Sequence, residues 1–132
     1  MIVVDTNVVA YLFVAGERTA QAEALLRRDP AWAAPLLWRS EMRNILASYV
    51  RRGAIALDLA QRIAAEAEAL LRGREYAVRT DRVLAAAAAT GCSAYDCEFA
   101  VLAEEIGVPL VTADRKLAAA FPRVAHRLDG WA

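Results

Sequence analysis

The sequence predicts an α/β domain with a parallel sheet whose strands are joined by helices in right-handed crossovers. Short apolar runs, which are typical of buried parallel strands, alternate with longer segments whose apolar residues recur at helical spacing. The composition, 58% hydrophobic and 24% charged, is that of a globular chain, and 132 residues are enough for one domain. We therefore expect a single domain over residues 1–132.

Each element follows from its local pattern. Strands are predicted at short apolar runs: Met1–Val4, Trp32–Leu37 with a break at Pro35, Glu75–Val78, Leu110–Thr112 and Val124–Leu128. Helices are predicted where apolar residues fall on one face: Thr6–Leu12, Glu17–Arg28, Ser40–Arg52, Leu57–Arg72, Asp81–Thr90, Ser93–Ile106 and Arg115–Ala120. Glycines that follow three of these helices are expected to end them: Gly53, Gly91 and Gly107. Three aromatic side chains are assigned to the core: Tyr11, Trp38 and Tyr95.

The charge and the few cysteines exclude several classes of protein. Sixteen basic residues balance sixteen acidic ones, which argues against a protein that holds nucleic acid by a bulk positive field alone. Cys92, Cys97 and the single His126 are too few and too scattered for a zinc site, so we expect reduced thiols in the core or in helices. The apolar N-terminus lacks a positive leader region and is too short to span a membrane, which favours a cytoplasmic protein.

Four acidic residues stand at the ends of predicted elements. Asp5 follows the first strand, Asp114 follows the fourth, and Glu41 and Asp96 fall near helix starts. Ligands of open parallel sheets bind beyond the carboxyl ends of the strands. Each acid also has a purely structural explanation, since Asp5 and Asp114 would cap helices, Glu41 would favour a helix dipole, and Asp96 would complete a capping box with Ser93.

Taken together, the four acids predict a cation site. Carboxylates that converge on one rim repel each other, and such a cluster is costly unless protons or cations intervene. A hard divalent cation such as Mg²⁺ prefers oxygen ligands and relieves the repulsion. The same cation would bind a phosphate oxygen and activate a water, which points to phosphodiester chemistry.

Three stretches of the chain resemble the motifs of PIN-domain nucleases, above all the VapC-type toxins of bacterial toxin–antitoxin pairs. The first motif is similar to MIVVDTNVVAYLF, the second to WRSEMRNIL, and the third and fourth together to TGCSAYDCEFAVLAEEIGVPLVTADRKL. The last stretch is the most specific, because Ala-Tyr-Asp, a helix, a Gly-Val-Pro stop and Thr-x-Asp after a strand appear in order. The resemblance runs from residue 2 to about residue 121.

The resemblance implies a PIN-like fold, in which a small central parallel sheet is sandwiched between helices. It implies an endoribonuclease that depends on Mg²⁺ or Mn²⁺, a cognate antitoxin that covers the active site, and often a homodimer. It assigns metal binding to Asp5, Glu41, Asp96 and Asp114. Thr112 would orient a water or an acidic side chain, and Asn7 would form hydrogen bonds near Asp5.

Three basic residues near the proposed rim are candidates for contacts with RNA. Arg43, Arg115 and Lys116 would meet phosphates that flank the scissile bond, or they would simply be solvated surface charges. Single-stranded RNA in a loop is the expected form of substrate, because its bases are accessible.

Other classes of protein fit the acids less well. A haloacid-dehalogenase-type, Mg²⁺-dependent phosphatase needs a second aspartate two residues after the first, where this chain has Asn7. A receiver-like signalling domain needs a phospho-acceptor aspartate at the end of a middle strand and a late lysine. A non-catalytic PIN-like module that binds RNA or protein would lack one or more acids. A structure-specific DNA nuclease would need further acids and substrate-binding elements.

Overall fold

Five parallel strands form one sheet in the computed structural model, which describes residues 1–131. In chain order they are β1 (Ile2–Val4), β2 (Trp32–Pro35), β3 (Glu75–Tyr76), β4 (Leu110–Thr112) and β5 (Ala125–Arg127). They lie side by side in the order β3-β2-β1-β4-β5. Strands β1, β2 and β4 are apolar and fully buried, as expected for strands covered on both faces. The predicted α/β class with a parallel sheet is confirmed.

Seven α-helices connect the strands within these residues. They are α1 (Thr6–Phe13), α2 (Thr19–Arg28), α3 (Leu37–Arg51), α4 (Leu57–Leu71), α5 (Thr80–Thr90), α6 (Ala94–Ile106) and α7 (Arg115–Ala120), followed by a 3₁₀ turn over Leu128–Gly130. The largest departure from the predicted bounds is at α3, which starts at Leu37 rather than Ser40, because the fully buried Trp38 belongs to the helix. None of the described helices is long and apolar enough to cross a membrane.

The direction in which the chain builds the sheet reverses between β1 and β4. The chain moves outward from β1 through β2 to β3, then returns to the other side of β1 to form β4 and finally β5. Right-handed crossovers therefore place α1–α4 and α5–α7 on opposite faces. Val4 pairs with Val111 across the reversal, so the residues that follow each strand lie side by side at the carboxyl edge.

Two glycines end the helices that lead into the last predicted motifs. Gly91 follows α5 with φ 73°, and Gly107 follows α6 with φ 70°. Both are in the left-handed region that favours glycine, and each donates its N–H to the carbonyl four residues back. The chain can thus turn directly from α5 towards α6 and from α6 towards β4.

Helix α6, which packs against β1 and β2, has more buried residues than any other described helix. Cys97 is fully buried on it, Cys92 is buried just before it, and both thiols are free, as predicted. The assignment of Tyr95 to the core is wrong, because 63% of its surface is exposed. Tyr95 shares a helix face with the buried Phe99 and Leu102, but it lies in the first turn of α6, where Ala94 is exposed as well. Trp38 is buried as predicted.

Candidate active site

One pocket opens at the carboxyl edge of the sheet, where the strand order reverses. All four acids predicted as a site line it, each from a different segment: Asp5, Glu41, Asp96 and Asp114. Three polar and three apolar residues complete its wall: Thr6, Asn7, Asn44, Ile45, Phe99 and Leu117. None of the described lining residues is basic, so the pocket is strongly negative when its acids are ionised.

Asp5 is the most deeply buried of the four acids, with 6% of its surface exposed. It caps α1, where its Oδ1 accepts the N–H of Val8 at 3.0 Å, and its Oδ2 accepts the hydroxyl of Thr112. Burial raises the pKa of Asp5 to about 6, even though both hydrogen bonds favour the ionised form, and the charge of Asp114 adds to the rise. The carboxylate is therefore held at an electrostatic cost that a bound cation would remove.

Glu41 reaches the pocket from the second turn of α3 and is half-buried. Its Oε1 accepts the hydroxyl of Thr6 at 2.7 Å. Burial is the main reason that the pKa of Glu41 is raised, and the negative charges of Asp96 and Glu98 raise it further. The alternative explanation of Glu41, as a first-turn acid that favours the helix dipole, does not apply, because α3 starts at Leu37.

Asp96 approaches from the first turn of α6. The Ser93 hydroxyl caps this helix by accepting the N–H of Asp96 at 3.1 Å, which is one of the two bonds of the expected capping box. The pKa of Asp96 is raised chiefly by burial and then by the charge of Asp114, while Lys116 opposes the rise. Asp96 is thus under the negative potential of its neighbours in the pocket.

Asp114 caps α7 directly after β4. Its Oδ1 accepts the N–H groups of Lys116 and Leu117 at 2.9 and 3.2 Å. Its own N–H donates to the Thr112 hydroxyl at 3.0 Å. Because that hydroxyl also donates to Asp5, one threonine joins the acids of the two central strands.

The donor set of the pocket fits a hard divalent cation. Carboxylate oxygens are the ligands that Mg²⁺ and Mn²⁺ prefer, and neither histidine nor cysteine lines the described pocket. Within residues 1–131, no three acidic, histidine or cysteine side chains stand close enough together to enclose one ion. A cation in this pocket would therefore be bound directly by one or two carboxylates and through water by the others.

The two weaker residue predictions fare differently. The Thr112 hydroxyl donates to the Asp5 carboxylate, so it is placed to orient an acidic side chain. Asn7 lines the pocket but is exposed, and the structure gives it no hydrogen bond to Asp5 within residues 1–131. The Asp5 carboxylate accepts instead from the N–H of Val8 and the hydroxyl of Thr112.

Sequence reasoning missed two polar residues of the pocket and misplaced one basic residue. Thr6 was detectable as a hydroxyl directly after Asp5 in an otherwise apolar run. Asn44 lies three residues after Glu41, and therefore on the same face of α3. Arg43 lines a separate apolar groove between α3 and α4 instead of the acidic pocket.

The chain is an α/β domain in which a five-stranded parallel sheet carries a cluster of acids where the strand order reverses. The family model of the PIN domain matches residues 2–126, nearly the whole chain. The chain therefore belongs to the PIN-domain family, as its motifs predicted.

Known proteins similar to this chain support the same assignment. Ribonuclease VapC3 of Pyrobaculum aerophilum is 34% identical over 124 residues, which are 92% of this chain and 95% of that protein. The crystal structure of PAE2754 from Pyrobaculum aerophilum matches with a TM-score of 0.77 and 25% identity, over 97% of this chain and 90% of that one. A toxin–antitoxin complex from Klebsiella pneumoniae shares the fold, with a TM-score of 0.71 and 20% identity over 96% and 97% of the two chains. The chain is thus homologous to VapC ribonucleases.

Proposed function

We propose that this protein is a divalent-metal-dependent endoribonuclease that hydrolyses RNA phosphodiesters and acts as the toxin of a toxin–antitoxin pair. The main support for the proposal is that four carboxylates line one pocket of a PIN domain. Three of them, Asp5, Glu41 and Asp96, have raised pKa values because they are buried and lie near other negative charges. Homology with a VapC ribonuclease supports RNA as the substrate.

The residues that would hold Mg²⁺ or Mn²⁺, directly or through water, are Asp5, Glu41, Asp96 and Asp114. When bound, such a cation supplies Lewis acidity that polarises a phosphoryl oxygen, acidifies a water and stabilises the departing 3′ oxygen. Ile45, Phe99 and Leu117 give the pocket an apolar wall, which lowers the local dielectric and strengthens the attraction between carboxylates and cation. The protein thus contributes oriented negative charge in a partly desolvated pocket.

Neutral and basic groups at the rim suit an RNA strand. The amides of Asn7 and Asn44 line the pocket edge and are suited to hydrogen bonds with ribose hydroxyls or base edges. Arg115 and Lys116 are exposed at the start of α7, and Lys116 is near enough for its charge to act on Asp96. We assign these two cations to phosphates on either side of the scissile bond.

The partners follow from the relatives. Solved structures that share this fold include a toxin–antitoxin complex, so we propose that a cognate antitoxin neutralises this protein by covering the acidic pocket. An antitoxin segment with arginine or lysine would meet the pocket's negative charge directly. We also propose that the toxin itself is a homodimer in the cytoplasm.

A nuclease assay on total RNA tests the proposed function. The wild type should cut RNA with Mg²⁺ or Mn²⁺ and should be inactive in EDTA. Asp5→Asn and Asp96→Asn should each abolish cutting while the chain stays folded, because removal of one negative charge relieves repulsion in the pocket. Asp58→Asn, which alters an exposed acid in the first turn of α4, is the matched control and should cut like the wild type.

Two outcomes would contradict the proposal. If Asp5→Asn and Asp96→Asn cut as fast as the wild type, the assigned site is wrong. If the wild type binds RNA without cutting it under any of these conditions, the chain is a binding module and not a nuclease.

A further inference from the structure

We propose that Thr6 is a positioning residue: its hydroxyl aims the Glu41 carboxylate into the acidic pocket and thereby sets the affinity for the divalent cation. This inference rests on the function proposed above. It concerns a residue of the first motif to which the resemblance assigned no role.

The contact between the two residues is direct and shielded from solvent. The Thr6 Oγ1 donates to the Glu41 Oε1 at 2.7 Å, and Thr6 is 5% exposed. Hydrogen bonds to an ionised acceptor are stronger than neutral ones, and a partly buried position protects them from competing water. The bond spans 35 residues of sequence and ties the first turn of α1 to the second turn of α3.

Glu41 depends on this bond more than the other acids depend on any single contact. Backbone N–H groups of the following helix hold the carboxylates of Asp5 and Asp114. Glu41 has one more rotatable bond than an aspartate, and within residues 1–131 the only donor recorded for its carboxylate is Thr6. Without that hydroxyl the side chain gains rotamers that bring its oxygens away from the pocket.

The position of Thr6 also couples two candidate ligands. It follows Asp5 directly, so the start of α1 orients the Asp5 carboxylate through the cap and the Glu41 carboxylate through the hydroxyl. The bond uses only one oxygen of Glu41, which leaves Oε2 available to the cation. Groups that orient metal ligands in this way commonly alter metal affinity by about ten- to hundredfold when they are removed.

The test is a calorimetric titration of the RNA-free protein with Mn²⁺, combined with thermal melts. Thr6→Val keeps the shape of the side chain but removes the hydroxyl, and it should weaken Mn²⁺ binding by about ten- to hundredfold. Thr6→Ser keeps the hydroxyl and should bind Mn²⁺ nearly as the wild type does. Thr19→Val is the matched control, because the Thr19 hydroxyl donates to the Tyr11 carbonyl at the same 2.7 Å but away from the pocket. It should lower the melting temperature without changing Mn²⁺ affinity.

A second measurement separates positioning from packing. In a Glu41→Gln background, Thr6→Val should cause no further loss of Mn²⁺ affinity, because the pair acts through one carboxylate. An equal loss with Thr6→Ser and Thr6→Val, or wild-type affinity in Thr6→Val, overturns the inference. If Thr6→Val does not fold, Thr6→Ala replaces it. If neither variant folds, the hydroxyl is needed for stability and the inference is overturned. A wild type that fails to bind Mn²⁺ would instead overturn the proposed metal site itself.

Discussion

Individual acids of this protein serve the fold and the pocket at once. Asp5 and Asp114 were open to interpretation as helix caps or as parts of a site; in the structure both cap helices and both line the acidic pocket. A carboxylate has about four acceptor positions, so a cap bond leaves room for a second partner. The structural explanation of an acid at the end of an element therefore does not compete with a functional one.

Replacing Asp5 with asparagine is expected to stabilise the metal-free protein near neutral pH. The pKa of Asp5 is about 6 in the fold against 3.8 ordinarily, so the fold is favoured when Asp5 is protonated. That contribution is complete below about pH 4 and is lost as the pH rises through 6. Asp5→Asn keeps a capping side chain without the charge, and should raise the free energy of unfolding at pH 7 by about 1–3 kcal/mol.

Urea denaturation in EDTA at pH 7 and pH 4 measures this effect. The difference between Asp5→Asn and the wild type should shrink at pH 4, where the wild-type acid is also neutral. Asp58→Asn should show no such dependence on pH, because that acid is exposed. A variant less stable than the wild type at pH 7 would mean that the carboxylate's hydrogen bonds outweigh its burial.

Helix α3 is fixed to the sheet by a network of charges at its first turn. Arg39 donates from Nε and Nη2 to both oxygens of Glu75 at 2.6 and 2.8 Å, and from Nη1 to Glu68 at 3.1 Å. The Trp38 indole also donates to Glu75, at 2.7 Å. Because Glu75 lies on β3 and Glu68 on α4, these bonds hold three elements together. Glu41 lies in the next turn of α3, so the network also fixes the position of the helix backbone from which the Glu41 side chain enters the pocket.

Glu75→Gln is expected to destabilise the protein. Glutamine is neutral and has only one acceptor oxygen, so it cannot accept both hydrogen bonds from Arg39. We expect the free energy of unfolding to fall by about 1 kcal/mol, because one side of the pair meets solvent. Arg39 lowers the pKa of Glu75, so this stabilisation is present above the ordinary carboxyl range and disappears as the pH falls through the lowered value. Urea midpoints at pH 7 and pH 3 should show a gap between variant and wild type that closes on acidification.

A second arginine–carboxylate pair is the control for this element. Arg79 binds Asp81 through two hydrogen bonds at 3.1 and 2.7 Å, with both side chains largely exposed. Asp81→Asn should leave the urea midpoint unchanged, since exposed pairs contribute little. If Glu75→Gln and Asp81→Asn changed the urea midpoint equally, the partial burial of the α3 network would not add to its contribution to stability.

At the scale of the whole molecule, the pocket exists because the sheet reverses direction beside β1. The acids come from positions 5, 41, 96 and 114, and no two of them share an element. If each new strand were added at the same outer edge of the sheet, the ends of β1 and β4 would lie far apart. Their adjacency brings Thr112 within reach of Asp5 and completes the rim.

The proposed dimer is testable on the intact protein. Six large hydrophobic residues remain at least 37% exposed on one chain: Met1, Leu36, Leu57, Leu59, Leu84 and Tyr95. Two of them, Leu36 and Leu84, line one groove together, and a continuous apolar patch is the kind of surface that a subunit interface covers. Light scattering across a dilution series should give a mass about twice the 14.4 kDa of one chain. A monomer at every concentration would contradict the homodimer.

The order and type of the elements were readable from the residues alone. Apolar runs, amphipathic spacing and the glycines at 91 and 107 act over a few neighbouring residues, so they predicted each strand and most of each helix. The four acids were identifiable for the same reason, since each stands at a local boundary or in a motif of contiguous residues. These features need no knowledge of how the chain closes on itself.

Contacts between distant segments were decided by the fold. The bond of Thr6 to Glu41 and that of Thr112 to Asp5 join residues 35 and 107 positions apart, and no local pattern reports such pairings. The exposure of Tyr95 likewise depends on where the first turn of α6 lies relative to the core, which local spacing does not report. Strand order and helix rotation follow from the packing of the whole core, which minimises exposed apolar surface over all elements together.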